Sequence, residues 1–321
     1  MSDKLIEKLG SVKENEPLAS HTTFKIGGPA KYFYEAKNSQ ELLAAVKTAE
    51  ELKIPFFILG WGSNMLVSDD GFAGLIIKTV SNNFTINGQE IWVEAGVNLS
   101  RLIGLAGQAG LTGLETMAGI PGTVGGTAFG NAGAYGVSFG KVVKEVEIYQ
   151  AGEVKKLSQP EMAYEYRGSI LKKVPGIILS VTVKLEKGDP RAIQSQVVKF
   201  ILERNQKLPI EPSAGCIFKN IKLDKTAIDK ERLKKELDID EAEWQKVTMH
   251  GKLSAGYLID RLDLRGKTIG GCQISEKHSN FFVNIGSAKA EHVIMLISDV
   301  KMRVRNQLGI QLEEEIRYLG F

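Results

Sequence analysis

Cysteine is almost missing from this sequence: Cys216 and Cys272 are the only two in 321 residues. They form no CxxC pair and stand at no Cys/His spacing of a zinc site, so no metal site is expected. So few thiols, without an export signal, point to a reducing compartment. Long apolar runs are missing too. No segment approaches the ~20 apolar residues of a membrane span, and the first residues, MSDKLIEKLGSVKENEPLAS, hold no apolar core of signal-peptide length. A soluble, cytoplasmic protein that does not enter membranes is expected. Charge of one sign is likewise absent, with 41 basic against 38 acidic side chains giving +3. That excess is too small and too evenly spread to call for nucleic acid. There is no internal repeat and no low-complexity tract. Two nucleotide-binding signatures are also lacking. No GxGxxG follows a strand and opens a helix, which removes a Rossmann site, and no GxxxxGK[ST] occurs.

What remains is ordinary in bulk, 43% apolar and 25% charged, and long enough for two or three structural units. Glycine is the exception. Its 34 residues gather in short runs, where backbone must approach a ligand or take positive φ. GWGSN, Gly60 to Asn64, follows an apolar strand. Its bare N–H groups with Ser63 and Asn64 suit a pyrophosphate, and equally a tight turn between strands. The second run, GIPGTVGGTAFGNAGAYG, ends at Gly136 and is poor in large side chains. Each glycine there costs ~0.5–1 kcal/mol of backbone entropy relative to alanine. A flat cofactor lying against the backbone would offset that cost. Two such loops point to a phosphate-bearing cofactor.

The elements around them read as α+β. Residues 1–20 suggest a short amphipathic helix and a turn at Pro17, Lys31–Ala36 a strand, and Ser39 the cap of a helix to Leu52. Strands are expected at 55–60 and on both sides of Asp70-Gly71, then a hairpin around Asn87-Gly88. A helix from Leu99 to Gly110 comes before the rich glycine segment. Strands at 142–150, 154–157 and 177–185 form an antiparallel sheet, and a long helix ends near Lys207 before Pro209, the candidate domain boundary. Residues 222–248 are densely charged and helical in pattern; further elements are helices at 255–262 and 290–308 and strands near Thr268, near Phe281 and over the last residues.

The two glycine loops together resemble the FAD-binding half of flavoproteins of the vanillyl-alcohol oxidase type. TTFKIGGPA (22–30), LGWGSNMLVSD (59–69) and AGIPGTVGGTAFGNAGAYG (118–136) resemble the first half of the UDP-N-acetylenolpyruvoylglucosamine reductase family. YRGS (166–169), PSAGCIFKN (212–220), AGYLID (255–260) and LEEEIRYLG (312–320) resemble its second half, in the same order. The resemblance implies a two-lobed FAD-binding region, residues 1–80 and 81–205, with the C-terminal strand 310–321 joining the first lobe. A smaller α+β substrate domain would span 206–309 and carry an insertion at 222–248, either a solvated helical pair or a lid or partner surface.

The activity implied is NADPH reduction of FAD, then hydride transfer to the enolpyruvyl ether of UDP-N-acetylglucosamine, giving UDP-N-acetylmuramate for peptidoglycan. A monomer needing only these small molecules is expected. Charge pushed onto the substrate carboxylate needs cations and donors, and a general acid must supply a proton. The resemblance puts Arg167 and Glu315 in the first role, with Glu315 the least secure in register: strand alternation sets it on one face with Glu313, away from Glu314. It puts Cys216 in the second, where the family usually has serine. A thiol, with a reference pKa of ~8.5, is the better acid, and it adds an oxidisable group. FAD contacts fall to Gly60, Gly62, Ser63, Asn64 and Met65, and in the second loop to Gly119, Ile120, Pro121, Gly122, Gly125, Gly126, Asn131 and Ala132. Substrate contacts fall to Tyr135, Lys219, Asn220 and His278, the last equally readable as a structural histidine; Cys272 reads as core. About eight residues separate Ser169 from Ile178, so the tyrosine-bearing loop of one branch of the family is missing. Two rivals stand beside this reading. A flavin oxidase of the same superfamily often attaches FAD through histidine or cysteine, and neither loop holds histidine. A nucleotide-binding protein that has lost catalysis would have Cys216 as its only support.

Overall fold

The computed structural model describes residues 2–224, 226 and 228–321, and they divide into two compact units. Of the described residues, the first comprises 2–16, 29–62 and 72–206; the second takes 17–28, 63–71, 207–224, 226 and 228–321. The α+β expectation holds in both. No helix among the described residues is long and apolar enough to cross a membrane.

In the first unit a four-stranded sheet runs in the order Lys13–Pro17, Pro29–Ala36, Phe72–Thr79, Phe56–Leu59. The last three pair in parallel, and parallel neighbours need a crossover between them. The helix Ser39–Glu51 connects Pro29–Ala36 to Phe56–Leu59, which lie on either side of Phe72–Thr79, and buries Leu42, Ala45, Val46 and Ala49 against Tyr32, Tyr34, Leu75 and Ile77. Its N-cap is Asn38, whose side chain accepts from the Glu41 N–H. Ser39, expected to be the cap, sits one residue inside. Its Oγ instead donates to the Leu179 carbonyl, and its N–H reaches the buried Glu94. The N-terminal stretch also differs from expectation: the helix stops at Leu9 and Lys13–Pro17 becomes an edge strand.

A five-stranded antiparallel sheet completes this unit, in the order Glu153–Ser158, Val143–Gln150, Ile177–Lys184, Glu90–Glu94, Phe84–Asn87. Its central strand, Ile177–Lys184, contributes to two cores. Leu179 packs with the Ser39–Glu51 helix, while Ile178, Val181 and Val183 face Leu102, Ile103, Val124 and Ala128. Val124 and Ala128 belong to a helix, Val124–Gly130, inside the glycine-rich segment. Glycine content hid this helix; Thr123 caps it through Gly126 N–H, and Asn131 closes it in the left-handed conformation.

The second unit is built on the four-stranded antiparallel sheet Ser213–Cys216, Phe281–Asn284, Cys272–Ile274, Thr268–Ile269, covered by the helix Ala290–Leu308. The expected C-terminal strand shortens to Arg317–Leu319 and pairs in parallel with Met65–Val67. The charged segment 222–248, of which residues 225 and 227 lie outside the described residues, folds as helices Lys230–Leu237 and Glu241–Val247. It is not purely solvated. Leu233, Leu237 and Trp244 enter the core, and Glu243 accepts from the Tyr257 hydroxyl. Each short helix has one apolar stripe, and burying that stripe stabilises it more than its own propensity does.

Candidate active site

The glycine loops meet within the first unit. A Cβ built on Gly60 would lie 2.7 Å from Thr123 Oγ1, and one on Gly125 would lie 2.7 Å from the Ala95 Cβ. These two positions are therefore glycine because the Thr123 side chain and Ala95 already fill the space. Beside this contact, Gly122 and Thr123 are buried. Glu115 Oε1 and Thr116 Oγ1 are also buried without a hydrogen-bond partner. A buried hydroxyl and a carboxylate oxygen left unmatched just before the second glycine run suit the hydroxyl and N–H groups of a polar cofactor. The residues fit FAD. Glu115 and Thr116 went unnoticed in the sequence, where nothing separates them from ordinary surface polar residues.

Gly60→Ala is expected to force Thr123 to turn away from Gly126 N–H, 3.2 Å distant. Losing that cap costs ~1 kcal/mol, and the loop shifts from its cofactor. The variant should purify with less flavin per chain and melt a few degrees lower, measured by visible absorbance and thermal denaturation. Unchanged flavin content would refute this role for the contact.

Next to these loops lies the turn carrying Arg167. Glu165 and Gly168 exchange backbone hydrogen bonds of 3.0 and 3.1 Å around Tyr166 and Arg167, and Arg167 takes φ +55°. A non-glycine residue in that region is strained by ~1–3 kcal/mol and persists only where surroundings impose it. Asn131 supplies much of that restraint. Its Nδ2 donates to Glu165 O and its Oδ1 accepts from Gly140 N–H. Expected to contact FAD, the Asn131 side chain is occupied in bracing this turn. The Arg167 guanidinium donates to Gly133 O at 3.1 Å and stacks over Tyr166. Tyr135 is also left-handed, at φ +51°, and with Gly136 makes the two-residue turn of a tight hairpin. Its exposed ring rests against Phe200, 4.8 Å away, under the Arg204 guanidinium. Only a 3-10 turn, Ile170–Lys172, separates Ser169 from the strand at Ile177, leaving no room for the missing loop.

The second unit holds Cys216, Lys219, Asn220, His278 and Glu315. Gly215, at φ +77°, opens a bulge in the strand Ser213–Cys216, and Cys216 pairs with Phe281 just beyond it. A bulge re-aims the side chain beside it. The chain then bridges the C-terminal segment, with Phe218 opposite Glu314, Glu315 N–H bonded to Ile217 O at 2.7 Å and Lys219 N–H to Glu313 O at 2.8 Å. Segments almost a hundred residues apart thereby set Cys216 one position from the backbone partner of Glu315. Glu313 and Glu314 take different partners: Glu313 pairs with Lys219, while Glu314 takes Lys301 and the Tyr318 hydroxyl. Asn64 clamps Glu315 from a third segment, donating to its carbonyl and accepting from Arg317 N–H. Met65 is buried in the strand alongside. The Asn220 side chain accepts from Ala255 N–H, fixing the start of the AGYLID helix. Cys272 is fully buried, and burial raises its thiol pKa to about 12. Among the described residues, no three of His, Cys, Asp and Glu could hold a metal ion.

His278 packs edge-on against Phe281, and its Nδ1 accepts from Asn280 N–H. Desolvation lowers its pKa. A lowered histidine pKa means that the unfolded chain takes up the proton first as pH falls. Stability is then present above the unfolded value of ~6.5 and is lost as pH drops below it. His278→Asn should flatten this loss in melts taken between about pH 7.5 and about pH 5. An unchanged profile would assign the acid sensitivity elsewhere.

The chain is similar to known proteins over nearly its whole length. Residues 206–319 match the family described as UDP-N-acetylenolpyruvoylglucosamine reductase, C-terminal domain, and residues 30–158 match an FAD binding domain. A UDP-N-acetylenolpyruvoylglucosamine reductase of Anoxybacillus flavithermus is 37% identical over 99% of this chain and 99% of its own. One of Caldanaerobacter subterraneus is 36% identical over 100% and 99%. The crystal structure of the reductase from Thermus caldophilus superposes with a TM-score of 0.74 at 30% identity, covering 96% of this chain and 98% of its own.

Proposed function

Because the chain belongs to the UDP-N-acetylenolpyruvoylglucosamine reductase family and is an FAD-dependent oxidoreductase, we propose that it uses NADPH to convert UDP-N-acetylglucosamine enolpyruvate to UDP-N-acetylmuramate, a precursor of peptidoglycan. The glycine loops, with Glu115 and Thr116, would hold FAD, which when bound would supply hydride transfer from NADPH to the substrate's methylene carbon. Arg167 faces the substrate carboxylate and stabilises the charge that develops as hydride arrives. Glu315 carries a proton or orders a donor near the enolate, and the Cys216 thiol gives its proton to the neighbouring carbon. Lys219, Asn220, Tyr135 and His278 hold the nucleotide sugar. On this reading residues 1–80 and 81–205 are the FAD-binding lobes and 206–309 the substrate domain.

The observation that supports these roles most is the backbone pairing of Ile217 with Glu315. It keeps the proton donor's segment in fixed register with the glutamate, and proton transfer depends on such registration. The test is an anaerobic visible spectrum followed through two additions. NADPH should bleach the flavin bands, and the enolpyruvyl substrate should restore them with UDP-N-acetylmuramate as product. Reduced flavin that substrate leaves unchanged would overturn the substrate assignment. Absence of bound flavin in folded protein would overturn the whole reading.

A further inference from the structure

The strand ladder that carries Cys216 ends in an unusual way. Backbone pairing between Ser213–Cys216 and Phe281–Asn284 reaches Cys216 opposite Phe281, and Ile217 N–H then takes the Asn280 carbonyl at 2.8 Å. Beyond this point no strand backbone remains, because the chain turns, with Phe281 N–H bonded to His278 O. The next peptide, at Phe218, is nevertheless buried and paired on both sides. Its N–H donates to Asn280 Oδ1 at 2.9 Å, and its carbonyl accepts from Asn280 Nδ2 at 2.8 Å. One side-chain amide thus stands in for a missing strand residue, and Asn280 itself is 2% exposed. The other edge of the same segment holds Glu313 and Glu315 through Lys219 N–H and Ile217 O.

We propose that Asn280 is a positioning residue of the reaction: its amide pins the backbone of residues 216–219 against the Glu313–Glu315 segment and so fixes where the Cys216 thiol stands. This rests on the reading of Cys216 as proton donor. Asparagine is the side chain that suits this place. Aspartate keeps the acceptor for Phe218 N–H but offers no donor to Phe218 O, and leucine leaves both buried backbone groups unpaired. Glutamine is longer by one methylene and displaces its amide. A shift of about 1 Å at a reacting group costs on the order of 10²-fold in rate, so a loosened register acts on the proton step without touching the flavin.

The experiment compares Asn280→Asp and Asn280→Leu holoenzymes in rapid-mixing half-reactions. Reduction of the flavin by NADPH should stay within about twofold of wild type, while its reoxidation by the enolpyruvyl substrate slows by about 10–10²-fold. Phe218 and Lys219 amides should exchange hydrogen faster, and the alkylation rate of Cys216 by iodoacetamide should change, with buried Cys272 silent. In a Cys216→Ala background, Asn280→Asp should cost less than about twofold further, since the thiol it positions is gone. A merely structural role would make the two losses add, and that result overturns the proposal. So does reoxidation at the wild-type rate in a variant whose Phe218 amide has become labile. Should the leucine variant not fold, the aspartate variant, which keeps one of the two bonds, carries every comparison. If Cys216→Ala alone leaves reoxidation unchanged, the reading of Cys216 fails; if it slows reoxidation and Asn280→Asp does not, only the positioning role fails.

Discussion

Replacing Cys216 with alanine is expected to slow reoxidation of the reduced enzyme by substrate by about 10²–10⁴-fold, the usual contribution of a positioned general acid. Serine at the same place should keep a substantial part of the wild-type rate, because a hydroxyl also delivers a proton from the same backbone position. The bulge at Gly215 and the pairing with Phe281 set that position, and neither depends on the side chain at 216. Reduction by NADPH should be unaffected in both variants, since no proton is then given to the substrate. Rapid-mixing absorbance at the flavin bands separates the two half-reactions. An alanine variant that reoxidises at the wild-type rate would remove Cys216 from the chemistry. A serine variant as slow as alanine would mean that the thiol itself is required.

Arg167→Met should lower the rate of the same half-reaction by about 10²–10³-fold, the effect of deleting one donor aimed at developing charge. Lysine should rescue little of it. The guanidinium is held as a planar group, donating to Gly133 O while stacked over Tyr166, and a point charge on a flexible stem reproduces neither contact. The turn itself should survive the change. Its two Glu165–Gly168 hydrogen bonds and the brace from Asn131 are independent of the arginine side chain. The measurements are reoxidation kinetics beside a thermal melt. A melting temperature close to wild type with slow reoxidation supports the catalytic role. A large loss of stability would assign Arg167 to the fold instead.

Much of the fold was legible along the chain. Period-two alternation marked the strands Glu90–Glu94 and Val143–Gln150, because one face of each is buried and the other meets water. The helix Ala290–Leu308 showed its apolar stripe for the corresponding reason. Errors arose where a local signal met a tertiary demand. Ser39 is a good cap in isolation, yet Asn38 caps the helix because Glu94 and Leu179 engage Ser39. The helix Val124–Gly130 is formed from poor helix formers, and Val124 and Ala128 hold it against the sheet. The charged helices at 230–247 looked solvated, since three buried side chains among so many charges leave a faint pattern.

The sequence by itself determined the chemistry available: glycine loops bare enough for a cofactor, an arginine in YRGS, a thiol in PSAGCIFKN and three glutamates near the end. These follow from residue type and short spacing, which need no fold to be read. Tertiary structure alone decided which polar groups remain for a ligand and which hold the framework. Asn131 and Asn280 have identical side chains, and each completes backbone hydrogen bonds whose partners lie 9 to 62 residues away. Glu115 and Thr116, just before the second glycine run, keep buried oxygens unmatched. An amide or carboxylate acquires its role from the backbone groups that packing leaves unpaired around it, and sequence order does not specify which groups those are.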